Sequence, residues 1–500
     1  MNSGVFFIQF QFKFPLRLEF NRETGYFLQI TQIVNLFIPE GMSPMSVVVT
    51  SFCGLCVLLV LGKVLRTLVP LLQRLYLPAS VIGGLLGLLC LNQPFCRIPQ
   101  EWYAYWTDIP GFLINIVFAA LFIGAKLPRL GDVWKLAAPQ FCYGQLVAWG
   151  QYVIGLGLAA VLLIPVFHVD RAFGTLLEIG FEGGHGTVGG LSATFDHFGW
   201  PVGRDLGYTT ATAGMVLGIV IGMALINLAV QRSWVKNVRQ FSEQSIHERR
   251  GIYPKKAQPP AGRQTVFSDS VDSLALHIAA IGMAVLIGYG IKILLVALNT
   301  VMPASVQNLQ VLQSFPLFPL CLIGGLILQK LLISIRLDAL VDHGQIQRLG
   351  GAALDFLVVA AVASIRLDFV AAYWMPLLIL IVAGTLWNVF GVLFIAPRLF
   401  RDAWFERAIA EFGQSMGVTA TGLLLLRTVD PENKTVAASA FGYKQLLHEP
   451  IMGGGIWTSL ALPLVITQGN LTVWLICVGM MIFWLCFWYL VIRRQGHVSR

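Results

Sequence analysis

The sequence predicts an all-α integral membrane protein made of two inverted-topology five-span repeats. Each repeat carries a re-entrant, Gly-rich broken helix, and one extra span closes the chain. Three observations predict this. First, 56% of the 500 residues are hydrophobic and only 12% are charged, with mean hydropathy +0.74, whereas a soluble domain carries about 25% charged residues. Second, the apolar runs are continuous rather than alternating, and a helix needs about 20 apolar residues to cross the hydrocarbon. Lipid offers backbone groups no partners, so only helices or closed barrels cross it, and continuous runs favour helices. Third, the chain before and after a polar stretch at 231–272 shows the same ordered features.

Spans are expected at 45–66, 76–93, 109–127, 137–166 and 205–230, then at 274–298, 316–334, 349–367, 374–397, 435–466 and 470–492. The domains are therefore an extension at 1–44, a first repeat at 45–230, a polar linker at 231–272, a second repeat at 273–468, and the extra span with its basic tail at 469–500. Residues 1–41 are Phe-rich and lack the basic start and cleavage site of a signal peptide. They read either as a translation start placed too early, with Met42 or Met45 the real one, or as a peripheral arm. The segments 172–200 and 408–429 are Gly-rich and only moderately apolar, and each reads as a re-entrant pair of half-helices.

The formal net charge of +9 does not point to nucleic acid, because the basic residues cluster between apolar runs. The linker holds Arg232, Lys236, Arg239, Arg249, Arg250, Lys255, Lys256 and Arg263 against few acids, so the positive-inside rule makes it cytoplasmic. With that anchor, the N-terminus lies outside. The loops with Lys63, Arg66 and Arg74, with Lys126, Arg129 and Lys135, and with Arg398, Arg401 and Arg407 fall inside, as does the tail with Arg493, Arg494 and Arg500. The uncharged 299–315 falls outside. This holds only if neither Gly-rich segment crosses. The eight cysteines are scattered, all but Cys96 within apolar runs; Cys53 and Cys56 have no second pair to complete a zinc site, so they read as small core residues.

The repeat rests on ordered matches. Pro78 stands five residues before Gly83-Gly84, and Pro319 five before Gly324-Gly325. Asn115 lies eleven before Lys126, and Asp355 eleven before Arg366. Each half then has a long span, a Gly-rich broken segment and another span. Five crossings are an odd number, so the second half runs in the opposite sense, a recurring transporter plan that provides alternating access.

The chemistry is expected at the broken segments. Five glycines fall among the eight residues 183–190, and each costs about 1 kcal/mol inside a helix relative to Ala. Irregular backbone at membrane depth must line a cavity or be buried in protein. Opened turns present amide N–H groups to a carboxylate, and freed carbonyls with Ser and Thr hydroxyls suit Na⁺. The candidate substrate residues are Gly183, Gly184, His185, Gly186 and Thr187 in the first segment. In the second they are Gly413, Gln414, Ser415, Met416, Gly417 and Thr419. Close helix packing is the competing reading of the glycines. His185 reads as a substrate donor, a proton relay or a satisfied polar residue in a packed tip. Gln414 and Ser415, as neutral donors, suit an anionic amino acid. Candidate cation ligands are Asn115 and Asp355, at mirrored positions, and Thr209 and Thr212 at the start of the fifth span. Asn115 and Asp355 could also pair across the repeat interface or hold a broken segment, and the threonines could simply start and pack their helix. Lys126 and Arg366 sit at span ends and are expected to snorkel. Lys444, His448 and Glu449 are costly within a span unless they pair; a local Lys444–His448 or Lys444–Glu449 arrangement is expected. The second His of HExxH would fall at Met452, which excludes that zinc motif.

At these motifs the chain resembles the bacterial sodium/glutamate symporter family. The residues that carry the resemblance are Pro78 with Gly83-Gly84, "GGHGT" at 183–187, "LDFLVVAAVASIRL" at 354–367, the Gly-rich 413–422, and Pro450 with its glycines, over about residues 45–466. The resemblance implies Na⁺-coupled glutamate uptake through the bacterial inner membrane, no cofactor beyond Na⁺ as coupling ion, and a homodimer with elevator-like motion. It places the substrate segments at Gly183–Thr187 and Gly413–Thr419. The chain departs from the family in its second motif, "FGQSMGVTAT", in the charged group at 444–449, and in its extra end segments. These departures keep open another organic anion such as a hydroxycarboxylate, or H⁺ coupling. A membrane-embedded enzyme lacks its metal or nucleophile motif here, and a channel fits a two-fold repeat with one midplane site less well than a carrier does.

Overall fold

The computed structural model describes residues 44–75, 77–91, 100–125, 130–235, 245–302, 315–430 and 434–492. The expectations for residues 1–43, Cys96, Lys126, Arg129, Lys236, Arg239, Arg493, Arg494 and Arg500, and for most of 299–315, lie outside them. Among the described residues all regular structure is helical. Eight helical stretches among the described residues are long and apolar enough to cross a membrane: Ser46–Leu68, Leu136–Phe167, Val202–Gln231, Ser273–Val301, His343–Ala363, Trp374–Leu399, Trp404–Val429 and Asn470–Leu490, of which Trp404–Val429 is broken at Gly417-Val418. Shorter apolar helices run Ala79–Cys90, Phe318–Ser334 and Ile456–Gln468. The chain is an all-α membrane protein.

Local chemistry sets the helix ends. Asp272 caps Ser273–Val301 by accepting from the N–H groups of Leu274 and Ala275, at 2.9 and 3.2 Å, and Asp342 caps His343–Ala363 through Gln345 N–H at 3.0 Å. Each satisfies donors that a helix start leaves open. Asp342 also accepts the Arg263 N–H at 3.1 Å, tying the end of the linker to this helix start; that bond holds its carboxyl below the usual carboxylate range. The linker also docks on the first helix: Lys63 Nζ donates to the carbonyls of Arg250 and Gly251, at 3.0 and 2.7 Å.

Matching details recur in the two halves. Gly62 and Gly83 let the first two helices touch, since a Cβ on Gly83 would meet the Leu58 backbone at under 3 Å; Gly288 and Gly324 do the same, with Ala284 in the place of Leu58. The second glycine of each pair faces the other half. A Cβ on Gly84 would meet Val362 Cβ at 2.6 Å, and one on Gly325 would meet Ala119 O at 2.5 Å. The long fourth helix of each half passes through a π turn, Ala159–Leu163 or Gly391–Ile395, into a last turn that opens on Pro165 or Pro397.

Two expectations need correction. The span at 435–466 is two helices, Ala437–His448 and Ile456–Gln468. Pro450 cannot continue the helix hydrogen bonding, and Gly453 and Gly454 take φ of 65° and 107°. Residues 185–190 are helical, glycines included; the irregular backbone lies at the ends of that short helix, Gly184 among it, rather than along it.

Candidate functional site

The first broken segment forms three short helices, Leu176–Phe181, Gly184–Gly190 and Ser192–His197. Most of its glycines serve packing: a Cβ on Gly186 would stand 2.6 Å from Ile114 Cδ1, and one on Gly189 would stand 2.6 Å from Pro110 Cβ. Gly184 differs, because its φ of 69° lies in the left-handed region that favours glycine. The second segment, Trp404–Val429, folds back on itself. Residues 413 and 422 of a continuous helix would be about 13 Å apart, yet a Cβ on Gly413 would lie 2.6 Å from Gly422 Cα. The turn is at Gly417-Val418, with Val418 at φ 60°, ψ 174°. The two breaks touch: a Cβ on Gly184 would meet Val418 Cγ1 at 2.5 Å.

Around this contact lies a buried polar cluster. Glu178 accepts from Tyr152 OH at 2.5 Å, Thr458 Oγ1 at 2.8 Å and Gly453 N–H at 3.1 Å. Lys444 Nζ donates to Glu411 Oε1 at 2.7 Å, both side chains being 0% exposed, and Gln140 Nε2 donates to Glu411 Oε2 at 2.9 Å. Gly144 leaves room for the Lys444 chain. His448 Nε2 bonds Glu182 Oε1. Gln445 Nε2 donates to Gln414 Oε1 at 2.7 Å, Thr419 Oγ1 at 2.5 Å and Glu449 Oε1 at 3.1 Å, while Thr419 Oγ1 also contacts Gln414 Oε1 at 2.8 Å and Glu449 Oε1 at 2.9 Å. Lys444 and His448 thus pair with carboxylates of the two broken segments, not with one another or with Glu449 as expected. The Lys444 pairing gives Glu411 a counter-ion without which its charge would be buried unpaired.

The expected substrate residues are partly gathered here. Gln414 and Thr419 belong to the cluster. Thr187 Oγ1 points to Gly453 O at 3.4 Å, Ser415 O accepts from Gln151 Nε2 at 2.6 Å, and Met416 Sδ accepts from Asn388 Nδ2 at 3.3 Å. A Cβ on Gly417 would meet Met215 Cα at 2.9 Å, and one on Gly183 would meet Ile179 O at 2.6 Å. Ser415 Oγ and Glu182 Oε2 are buried without a hydrogen-bond partner. His185 turns away from the cluster to Thr212, 2.9 Å from its Oγ1.

The expected cation ligands are spread more widely. Thr209 and Thr212 donate to carbonyls of their own helix, at Asp205 and Tyr208. Asn115 Nδ2 donates to Gly111 O at 2.8 Å, and its Oδ1 lies 3.8 Å from Cys321 Sγ. Asp355 bonds Ser80. Asn115 and Asp355 therefore bridge the halves reciprocally, and no hydrogen bond among the described residues joins either to the threonines. Arg366, at its helix end, is exposed and pairs with Asp368 at 2.7 Å.

Glu182, Glu411 and His448 place one candidate ligand atom each within 4.8 Å of one another. A multivalent ion would there compete with the Lys444 ammonium already seated on Glu411. The residues that sequence reasoning passed over are Glu178, Glu182, Glu411, Tyr152 and Gln145. The signal was present in the glutamates, ionisable side chains inside segments otherwise fit for the membrane.

A family model described as sodium/glutamate symporter matches residues 45–430. Two curated relatives named sodium/glutamate symporter, from Escherichia coli (strain K12) and Shigella flexneri, are each 24% identical over 378 residues. The alignment covers 74% of this chain and 86% of each relative. Lys444, Gln445, His448 and Glu449 lie beyond the residues that the family model matches.

Proposed function

The chain belongs to the sodium/glutamate symporter family, and on that premise we propose that it is a secondary active transporter coupling Na⁺ entry to glutamate uptake by alternating access. A symporter family makes it a carrier rather than an enzyme. The observation that carries the reading is the contact of Gly184 with Val418, where two interrupted helices meet among buried polar groups. Broken helices whose ends meet within the membrane are how carriers of inverted-repeat design hold a small anion and its companion cation.

The two halves act as inverted repeats, 45–230 and 273–468, with the linker 231–272 on the cytoplasmic side and the N-terminus outside. The paired π turns and the reciprocal Gly84 and Gly325 contacts support that symmetry. The fold-back at Gly417-Val418 supports a re-entrant second segment. Gly183 to Thr187, Gly413 to Gly417, and Thr419 form the glutamate site; Thr209, Thr212, Asn115 and Asp355 offer oxygens to Na⁺. The protein works in the bacterial inner membrane as a homodimer with elevator-like motion, as the family resemblance implies.

Uptake of labelled glutamate into proteoliposomes tests this. Accumulation should follow an inward Na⁺ gradient and fail when K⁺ replaces Na⁺. Accumulation driven by a pH gradient alone, or displaced by malate or citrate but not by unlabelled glutamate, would refute it.

A further inference from the structure

Four carboxyl groups (Glu178, Glu182, Glu411 and Glu449) and two bases (Lys444 and His448) meet where three interrupted segments converge. Three of the carboxyls are answered. Glu178 takes three donors, Glu411 takes Lys444 and Gln140, and Glu449 takes Thr419 and Gln445. Glu182 is different. His448 and the Gln414 amide approach its carboxyl, yet Oε2 has no hydrogen-bond partner and the residue is 1% exposed.

His448 brings no charge to it. Trp149 Nε1–H donates to Gln145 Oε1 at 2.9 Å, which turns the Gln145 amide so that its Nε2 faces His448 Nδ1 at 3.1 Å. A donor facing Nδ1 makes that nitrogen the acceptor. The ring's single proton is then on Nε2, directed at Glu182, and the imidazole is neutral. Lys444, the ammonium of the cluster, is committed to Glu411. An ionised Glu182 would leave Oε2 buried without a donor and would share with Glu411 the one ammonium of the cluster, and a buried charge so poorly paired is costly. A metal ion suits the place poorly, since hard cations gather several oxygens and N–H groups approach here. A proton needs only Oε2.

We infer that Glu182 is a proton-carrying site, and that a proton moves with Na⁺ in each transport cycle, binding and leaving at Glu182 Oε2. Glu182 lies in the first half and His448 and Gln414 in the second, so this carboxyl sits where the two halves join. The other titratable groups that face it are Glu178 on its own segment, Tyr152 from the fourth helix, Glu411 from the second broken segment, and Lys444, His448 and Glu449 from the segment after that. His185, three residues on, is turned to Thr212. The transport half of this inference rests on the Na⁺-coupled reading above; the protonation half does not.

Infrared difference spectra between acid and alkaline buffers, on the purified full-length protein in lipid without substrate, read the carboxyl directly. The wild type should show a protonated-carboxyl band that changes with pH, absent in E182Q and displaced in E182D. In proteoliposomes loaded with a pH-sensitive dye, Na⁺-driven glutamate uptake by the wild type should acidify the lumen, and E182Q should fall to the level of protein-free vesicles. A band that E182Q and E182D leave unchanged, or Na⁺-driven uptake without proton movement, overturns the inference. If glutamate is not taken up under any gradient but the band is lost in E182Q, the glutamate reading fails and Glu182 stands as a proton site.

Discussion

Gly184→Ala is the smallest change that tests whether the two breaks form one unit. The added methyl faces two penalties. Holding an L-residue at a φ of 69° costs roughly 1–2 kcal/mol. Its Cβ would also stand 2.5 Å from Val418 Cγ1, and overpacking of this kind costs about 1–3 kcal/mol. Valine is stiff about χ1, so Val418 cannot swing clear cheaply. The sum, roughly 2–5 kcal/mol, falls on the junction itself. Val418→Gly removes the second penalty and not the first. It also relieves a β-branched residue at positive φ, worth about 1–3 kcal/mol, less up to about 1 kcal/mol of glycine entropy. A cycle of the two single variants and the double, followed by thermal unfolding in detergent, should give a coupling of about 1–3 kcal/mol, with uptake lost in the alanine variant and partly regained in the double. Strict additivity would refute direct contact between the breaks.

Lys444→Met leaves Glu411 buried without its cation and should cost about 3–5 kcal/mol, lowering the yield of folded protein; Lys444→Met with Glu411→Leu should regain stability but not transport, and a stable single variant would show that the pair contributes nothing. Tyr152→Phe removes one of the three donors to Glu178 and should cost roughly 1.5–3 kcal/mol, read as a lower unfolding temperature; an unchanged temperature would contradict the bond. Asp342 has its carboxyl held below the ordinary range by the Arg263 N–H. A depressed acid contributes stability above its unfolded titration range and loses it as pH falls through the folded one. Protease cleavage of the linker should therefore rise on acidification into that acid range, and Asp342→Ala should raise it at neutral pH; pH-independent cleavage in the wild type would contradict the clamp.

Much of the architecture is legible because lipid enforces it. Continuous apolar runs and basic loops mark spans, and Gly83-Gly84 and Gly324-Gly325 mark close crossings, each with atoms of a neighbouring helix against it. The glycines of 183–190 misled in detail. Sequence alone cannot separate a glycine needed for positive φ, such as Gly184, from one needed for contact, such as Gly189 beside Pro110, because both read as loss of helix propensity. The break within 408–429 is legible in its glycines and modest hydropathy, but the turn at Gly417-Val418 is not, because a β-branched residue such as Val418 rarely takes a φ of 60°. The ionic cluster was the least legible part. Glu178 and Glu182 lie four residues apart on one segment, but their partners Thr458 and His448 come from more than 260 residues away. Such pairings depend on how broken segments converge, and local periodicity carries no record of that.

Equilibrium binding of labelled glutamate to the purified protein, in Na⁺ and then in K⁺, for the wild type and Gly184→Val, tests the site most directly. Saturable binding that requires Na⁺ and vanishes in a folded Gly184→Val protein is the predicted result. Binding indifferent to Na⁺, or undiminished by valine at 184, would contradict a glutamate site at the meeting of the two broken helices.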